Sequence, residues 1–297
     1  MTNNTLKFFV THAGIFHADE VFATAMLRIA FPVYNLRRVF KVMPDMYSPN
    51  SIVYDIGGGE LDHHTVQNRE VNGCHPGTTI PYAACGLVWR KYGDQILHAI
   101  GIHQNTADIQ AVVESMLVIG IDAVDNGVAK TGDGMTISMA IKQFNPTWDS
   151  NAIADTQFHH AVEFADVVLR NTINSAKSVV EARNVVKDAI AKAEDPTIIV
   201  LDHYVPWQNV VIDESASALY VVFPALRGGY NIQGVPAEHG SFETRKPLPE
   251  AWRGQSQETL AELTGIENLT FCHASGFLAA ASTLEDAIAV AKIAVEA

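Results

Sequence analysis

Seven histidines and aspartates in three short stretches of the first 64 residues have the chemistry of metal ligands. His12, His17 and Asp19 lie in Thr11–Glu20, THAGIFHADE. Asp55 lies in the apolar run SIVYDI, and Asp62, His63 and His64 lie in Leu61–His64, LDHH. Carboxylates draw in Mn²⁺ or Mg²⁺, and imidazoles suit Mn²⁺, Fe²⁺ or Zn²⁺. Two such ions, roughly 3.5–4 Å apart and sharing a carboxylate, polarise a phosphorus centre and generate hydroxide near neutral pH. The expected site is therefore that of a metal-dependent hydrolase. Its ligands would be His12, His17, Asp19, Asp55, His63 and one acid from Asp122 or Asp125. Asp55 is the expected bridge, because a strand end fixes it most rigidly. His64 would hold a non-bridging oxygen or protonate the leaving group. Asp62 would either ligate or orient a neighbouring imidazole. Structural alternatives stand beside these roles. Asp19 sits where a helix N-cap would and Glu20 in the first turn, where the helix dipole favours a carboxylate. Asp122 and Asp125, three residues apart on one helical face, would serve as turn contacts before Gly127.

The elements that must carry these groups read as follows. LKFFVT, residues 6–11, is a buried strand, and 12–18 is the loop leaving it. From Asp19, apolar residues at three- and four-residue spacing predict a helix. Residues 34–42 and 51–56 predict two more strands, the latter ended by Gly57, Gly58 and Gly59. Ligands of open α/β sheets sit at such strand ends. Helices are predicted over 80–92, with Pro81 in the first turn, and over 108–124. Turn signals follow at Gly132-Asp133-Gly134 and Asn145-Pro146. Residues 155–194 have the periodicity of one or two linking helices, on which His159 and His160 read as structural. After Pro196, strands are predicted over 197–201, 218–224, 230–235 and 269–273, the middle pair joined by a hairpin at Arg227-Gly228-Gly229. A short helix covers 256–263. Ser282 with Glu285 matches a capping box for a last helix. The expectation is an α/β catalytic domain over 1–150, a helical linker over 151–195 and a smaller α+β domain over 196–297.

Composition narrows the function. Thirty-three acidic against 20 basic residues give a net charge of −13, which disfavours a broad grip on duplex DNA. A short nucleic-acid end in a local pocket remains compatible, because bound ions change the local charge. The three cysteines, Cys74, Cys85 and Cys272, are odd in number and form no Cys-x-x-Cys pair, which fits a reducing cytoplasm. The first ten residues lack a signal pattern, and no apolar run reaches the roughly 18 residues that suggest a membrane span. No Gly-x-Gly-x-x-Gly, P-loop or Gly-x-Ser-x-Gly motif is present, so a nucleotide cofactor or serine nucleophile is not supported.

Together, the His-and-Asp loop, the strand-end Asp55 and Asp62-His63-His64 resemble the DHH phosphoesterase superfamily, which includes RecJ-type exonucleases, oligoribonucleases and family II inorganic pyrophosphatases. The chain is more closely similar to the MYG1 family of predicted metal-dependent hydrolases. The segments that carry this are THAGIFHADE, YDIGGGELDHH, IDAVDNG, YVPW at 204–207, RKPLPEAWRG at 245–254 and HASGF at 273–277. The resemblance implies a DHH-type domain with a mainly parallel sheet flanked by helices, a linker helix and a smaller capping domain. It also implies two Mn²⁺ ions and 3′-to-5′ RNA exonuclease activity, with His63 as a metal ligand and His64 facing substrate.

In the second domain, Arg227, Arg245, Lys246, Arg253 and His273 are candidates for gripping phosphates; ordinary surface charge is the alternative for each. The leading expectation is a phosphodiesterase acting on short RNA or nucleotide ends. A small-molecule phosphohydrolase, such as a pyrophosphatase or nucleotide phosphatase, and a metal-stabilised binding protein are the competing ones. A homodimer is compatible with the sequence.

Overall fold

In a computed structural model, residues 6–129 and 134–297 are described. The chain divides into two compact units, Met1–Lys177 and Ser178–Ala297.

In the first unit, the buried run FFVTH forms β1 (Phe8–His12). Strands β2 (Asn35–Val39) and β3 (Ser51–Val53) pair with it on either side, both parallel, in the order β2-β1-β3. Parallel neighbours need a crossover, and α1 (Ala18–Ala30) supplies it between β1 and β2. The chain leaves β1 to one side and returns from β2 to the other. The carboxyl ends of β1 and β3 therefore flank a topological switch point, where open sheets leave a crevice. The helix begins one residue earlier than the sequence suggested. His17, not Asp19, is its N-cap, and the His17 backbone N–H donates to Glu20 Oε1 at 2.9 Å and Oε2 at 3.0 Å. β3 ends at Val53, so Asp55 lies just beyond it in a left-handed conformation, φ 55°. Only short polar residues and Gly reach that region without large cost.

A short helix that the sequence did not reveal, α2 (Val66–Asn72), follows, capped by Thr65. Helix α3 (Ala84–Ala99) packs on α1 and starts three residues after Pro81, not around it. Helices α4 (Thr106–Val113) and α5 (Ile119–Asp125) form one run, widened into a π turn at Glu114–Val118. After α6 (Ile137–Lys142), α7 runs unbroken from Ala154 to Lys192, 39 residues. Its Phe158, Val162, Leu169 and Ile173 are buried, while His159 and His160 are exposed. Of the predicted Gly132-Asp133-Gly134 turn, only Gly134 lies within the described residues.

The second unit is built on a mixed sheet. β4 (Ile198–Val200) is parallel to β5 (Tyr220–Pro224). The neighbours β6 (Tyr230–Gly234), β7 (Leu269–Cys272) and β8 (Leu278–Ala281) pair antiparallel, and the order is β4-β5-β6-β8-β7. The hairpin at Arg227–Gly229 forms as expected from its glycines. A short helix, α8 (Gln208–Glu214), precedes β5. Helices α9 (Gln257–Thr264) and α10 (Leu284–Glu296) cover one face through Tyr220, Val222, Ile232, Leu269 and Ala279. The cap of α10 is Thr283 rather than Ser282; its hydroxyl accepts from the Asp286 N–H at 3.1 Å.

Candidate metal centre

The switch point of the first unit gathers histidines and acids from five segments. His12 ends β1, Asp19 and Glu20 open α1, Asp55 sits at the corner after β3, and His63 and His64 follow a short loop. Asp125 reaches in from the end of α5. His12 Nε2 lies 3.0 Å from Glu20 Oε1 and 3.2 Å from Asp55 Oδ2. Its Nδ1 faces the Ala13 carbonyl at 3.3 Å, the contact that commonly orients a ligating imidazole. His63 Nε2 is 2.9 Å from Asp125 Oδ2, and its Nδ1 is 3.4 Å from Asp55 Oδ1 and 4.0 Å from Asp19 Oδ2. The two oxygens of Asp55 thus face different imidazoles.

Four overlapping sets bring their ligand atoms within 4.8 Å of one another: Asp55, Asp62, His63 and His64; His12, His17 and Glu20; His17, Asp19 and Asp125; and Asp19, Glu20 and Asp55. Asp19, Asp55, His17 and Glu20 each belong to two sets. That is the arrangement needed for neighbouring ions to share a carboxylate.

The electrostatics set what the cluster fits. Asp19, Glu20 and Asp55 are buried side by side. Burial, then the charges of Asp55, Glu20 and Asp125, pushes the Asp19 carboxyl well above its ordinary range. Burial likewise raises Asp55, against the pull of His12. Asp125 goes the other way: burial opposes its charge, but the hydrogen bond from His63 holds it low. His12 loses by burial and gains more from Asp55 and Glu20, so its pKa rises to about 10. Both Asp19 oxygens, Asp55 Oδ1 and His63 Nδ1 are buried without a hydrogen-bond partner. Unpaired carboxylate oxygens in a water-poor site are costly, and a divalent cation is the partner that relieves both the burial and the mutual repulsion. The donor set of imidazoles and carboxylates fits such an ion.

Beside this group, Asp62 orients His64. Its Oδ1 is 2.7 Å from His64 Nδ1, and its Oδ2 accepts from the Gly58 N–H at 2.7 Å. Burial opposes the charge on Asp62, but these bonds outweigh it and lower its pKa to about 2. The hydrogen bond to Asp62 is the main cause of a raised His64 pKa. The His64 side chain is 58% exposed.

Asp122 does not join the cluster. Its Oδ2 lies 2.8 Å from His75 Nε2 and accepts from the Ala83 N–H at 2.9 Å, and its Oδ1 accepts from the Gly86 N–H at 3.2 Å. It therefore caps α3 from outside. Gly86 permits the approach, since a Cβ there would collide with the carboxylate. A rotation of three residues along α5 is enough to send Asp122 and Asp125 to different partners. Glu20 is the residue that the sequence reading assigned only to the helix dipole. It does hold the N-cap backbone, yet it also faces His12. Two consecutive acids directly after a His-containing loop were the available signal.

In the second unit, Arg245 donates to the carbonyls of Ile212, Ser215 and Ala218 at 3.1, 2.5 and 3.0 Å. Lys246 Nζ donates to Val295 O at 2.7 Å and Arg253 Nε to Leu248 O at 2.9 Å. These three cations tie loops together, so the geometry gives them structural work. His273 sits in the β7–β8 turn, where its Nδ1 accepts from the Ser275 N–H at 3.1 Å. Arg227 has no carboxylate partner among the described residues.

The family model MYG1_exonuc, described as "Uncharacterised protein family (UPF0160)", matches residues 8–295. The chain belongs to the MYG1 family. It is 30% identical to a MYG1 protein of Schizosaccharomyces pombe over 99% of this chain and 98% of that protein. It is 29% identical to the MYG1 exonuclease of Bos taurus, over 95% of this chain and 83% of the relative. It is 28% identical to the MYG1 exonuclease of Homo sapiens, over 95% and 84%. No solved structure gives a significant match. Among the described residues, no helix is long and apolar enough to cross a membrane.

Proposed function

We propose that this MYG1 protein is a phosphodiesterase, dependent on two divalent ions of the Mn²⁺ type, that hydrolyses short RNA or nucleotide ends in the 3′-to-5′ sense. The observation that carries the reading is the set of buried, unpartnered ligand atoms on Asp19, Asp55 and His63. The exonuclease names of the mammalian relatives support the reaction class; the resemblance to DHH phosphoesterases supports the metal, and the resemblance to the MYG1 family supports the direction. His12, His17, Asp19, Glu20, Asp55, His63 and Asp125 would hold the ions. Ions bound there would supply Lewis-acid polarisation of the phosphate and a water of lowered pKa. Asp62 fixes the ring of His64, which holds a non-bridging oxygen or hands a proton to the departing oxygen.

The test is hydrolysis of end-labelled RNA with Mn²⁺, beside inorganic pyrophosphate, with Asp55→Ala as control. Stepwise shortening from the 3′ end, absent in the control, is the expected result. The net charge of −13 favours one rival, a small-molecule phosphohydrolase. Phosphate released from pyrophosphate alone would establish that rival, and silence on both substrates would leave a metal-stabilised binding protein.

A further inference from the structure

The sheet of the second unit is covered unequally. One face lies under α9 and α10. On the other, α8 and the last turns of α7 bury Ile199, Val221 and Phe223 of β4 and β5, and the cover stops there. The remainder, over β6, β8 and β7, is a groove of about 710 Å³, within the range of small-ligand sites.

Its composition is specific. Asn231 and Gln233 of β6 line the floor, with small apolar residues of β8 beside them. Neither amide has a hydrogen-bond partner among the described residues. On the β5 side stands Tyr204, its ring 5.4 Å from that of Phe223. On the edge strand, Phe271 is 44% exposed. The β5–β6 hairpin contributes Arg227. The chain has 33 acids against 20 bases, yet no carboxylate lines this groove. One exposed ring on an antiparallel strand and one beside the sheet, with amides between them and a cation at hand, are what unpaired bases require. The rings stack, the amides bond the base edges and the guanidinium takes a phosphate.

We infer that this sheet face is a binding site for unpaired ribonucleotides, with bases stacked on Phe271 and Tyr204. The choice of ligand rests on the phosphodiesterase reading. The groove would hold the body of a strand independently of the metal centre, which answers how an acidic protein retains an RNA.

The test uses the full chain in EDTA, where hydrolysis is silent. Anisotropy of a short fluorescein-labelled single-stranded RNA measures binding, with mononucleotide and duplex RNA as competitors. Single-stranded RNA should bind and duplex should not compete. Phe271→Ala should weaken binding on the order of 10-fold, as loss of one stacked base does, while Phe271→Tyr restores it and circular dichroism stays unchanged. Arg227→Ala should weaken binding and flatten its salt dependence. Equal binding by Phe271→Ala and wild type, or equal competition by duplex, would overturn the site. Stronger competition by mononucleotide than by an oligonucleotide of equal nucleotide content would also overturn its assignment to a strand. Absence of hydrolysis by wild type in Mn²⁺ is a separate failure that strikes the phosphodiesterase reading and leaves these binding results standing.

Discussion

Two groups of histidine and carboxylate lie in the first unit, one helical turn apart on α5, and they differ in one respect. Around His75, every polar atom is matched. Nδ1 meets Glu114 Oε1 at 2.6 Å, Nε2 meets Asp122 Oδ2 at 2.8 Å, and both oxygens of Asp122 also accept backbone N–H groups. Tyr82 lies over the imidazole at 4.0 Å between centroids. Around His63, four buried ligand atoms have no hydrogen-bond partner. Residue type does not separate a metal centre from an ion-pair knot, whereas unfilled valence of buried donors does. The knot is complete as a protein structure, whereas the cluster leaves buried donors whose chemistry fits a cation.

The largest expected effect breaks the cluster. Asp55→Ala should lose bound metal and reduce phosphodiester hydrolysis by at least about 100-fold, the upper range seen even for residues behind the ligands. Metal analysis beside circular dichroism checks it, and a folded variant with wild-type metal content would refute the assignment. Next comes the knot. Asp122→Ala leaves His75 buried beside a vacated partner and uncaps α3, so stability should fall by about 3–5 kcal/mol with or without metal. Urea melts in Mn²⁺ and in EDTA should show the same loss. An effect confined to Mn²⁺ would place Asp122 among the ligands after all.

The smallest effect has the opposite sign. Asp19 has a folded pKa raised above the ordinary value of 3.8. The folded state therefore binds more protons than the unfolded chain, and metal-free stability declines as pH rises from that value through the raised one. Asp19→Asn should flatten this decline in EDTA and leave the melting temperature at neutral pH no lower than wild type, while abolishing stabilisation by Mn²⁺. A clear loss of stability in EDTA would mean that the Asp19 carboxylate has a protein partner.

The sequence made the cluster legible because its ligands are consecutive or sit at strand ends, where His12, Asp55 and His63 have little structural use. It could not separate Asp122 from Asp125, because both lie on one face and their partners come from elsewhere in the chain. Glu20 was hidden by doing two things at once. The parallel strands and α7 were legible from apolar runs and a long period. β8 was not, since Leu278-Ala-Ala-Ala has little strand preference and is held by pairing with β6 and β7. The backbone contacts of Arg245, Lys246 and Arg253 were not legible, because an Arg that stitches three carbonyls looks, in sequence, like one that grips a phosphate.

The positive φ of Asp55 limits how this protein can diverge. Glu would keep a donor but meets the steric cost of that backbone, roughly 1–2 kcal/mol for an ordinary residue. Gly and Asn sit there easily, one with no donor and the other with no charge. Under the proposed metal-dependent hydrolysis, the path of least resistance for a drifting gene copy leads to a folded pseudoenzyme, and a paralogue with Gly or Asn at this corner is expected to keep the architecture and lose that reaction.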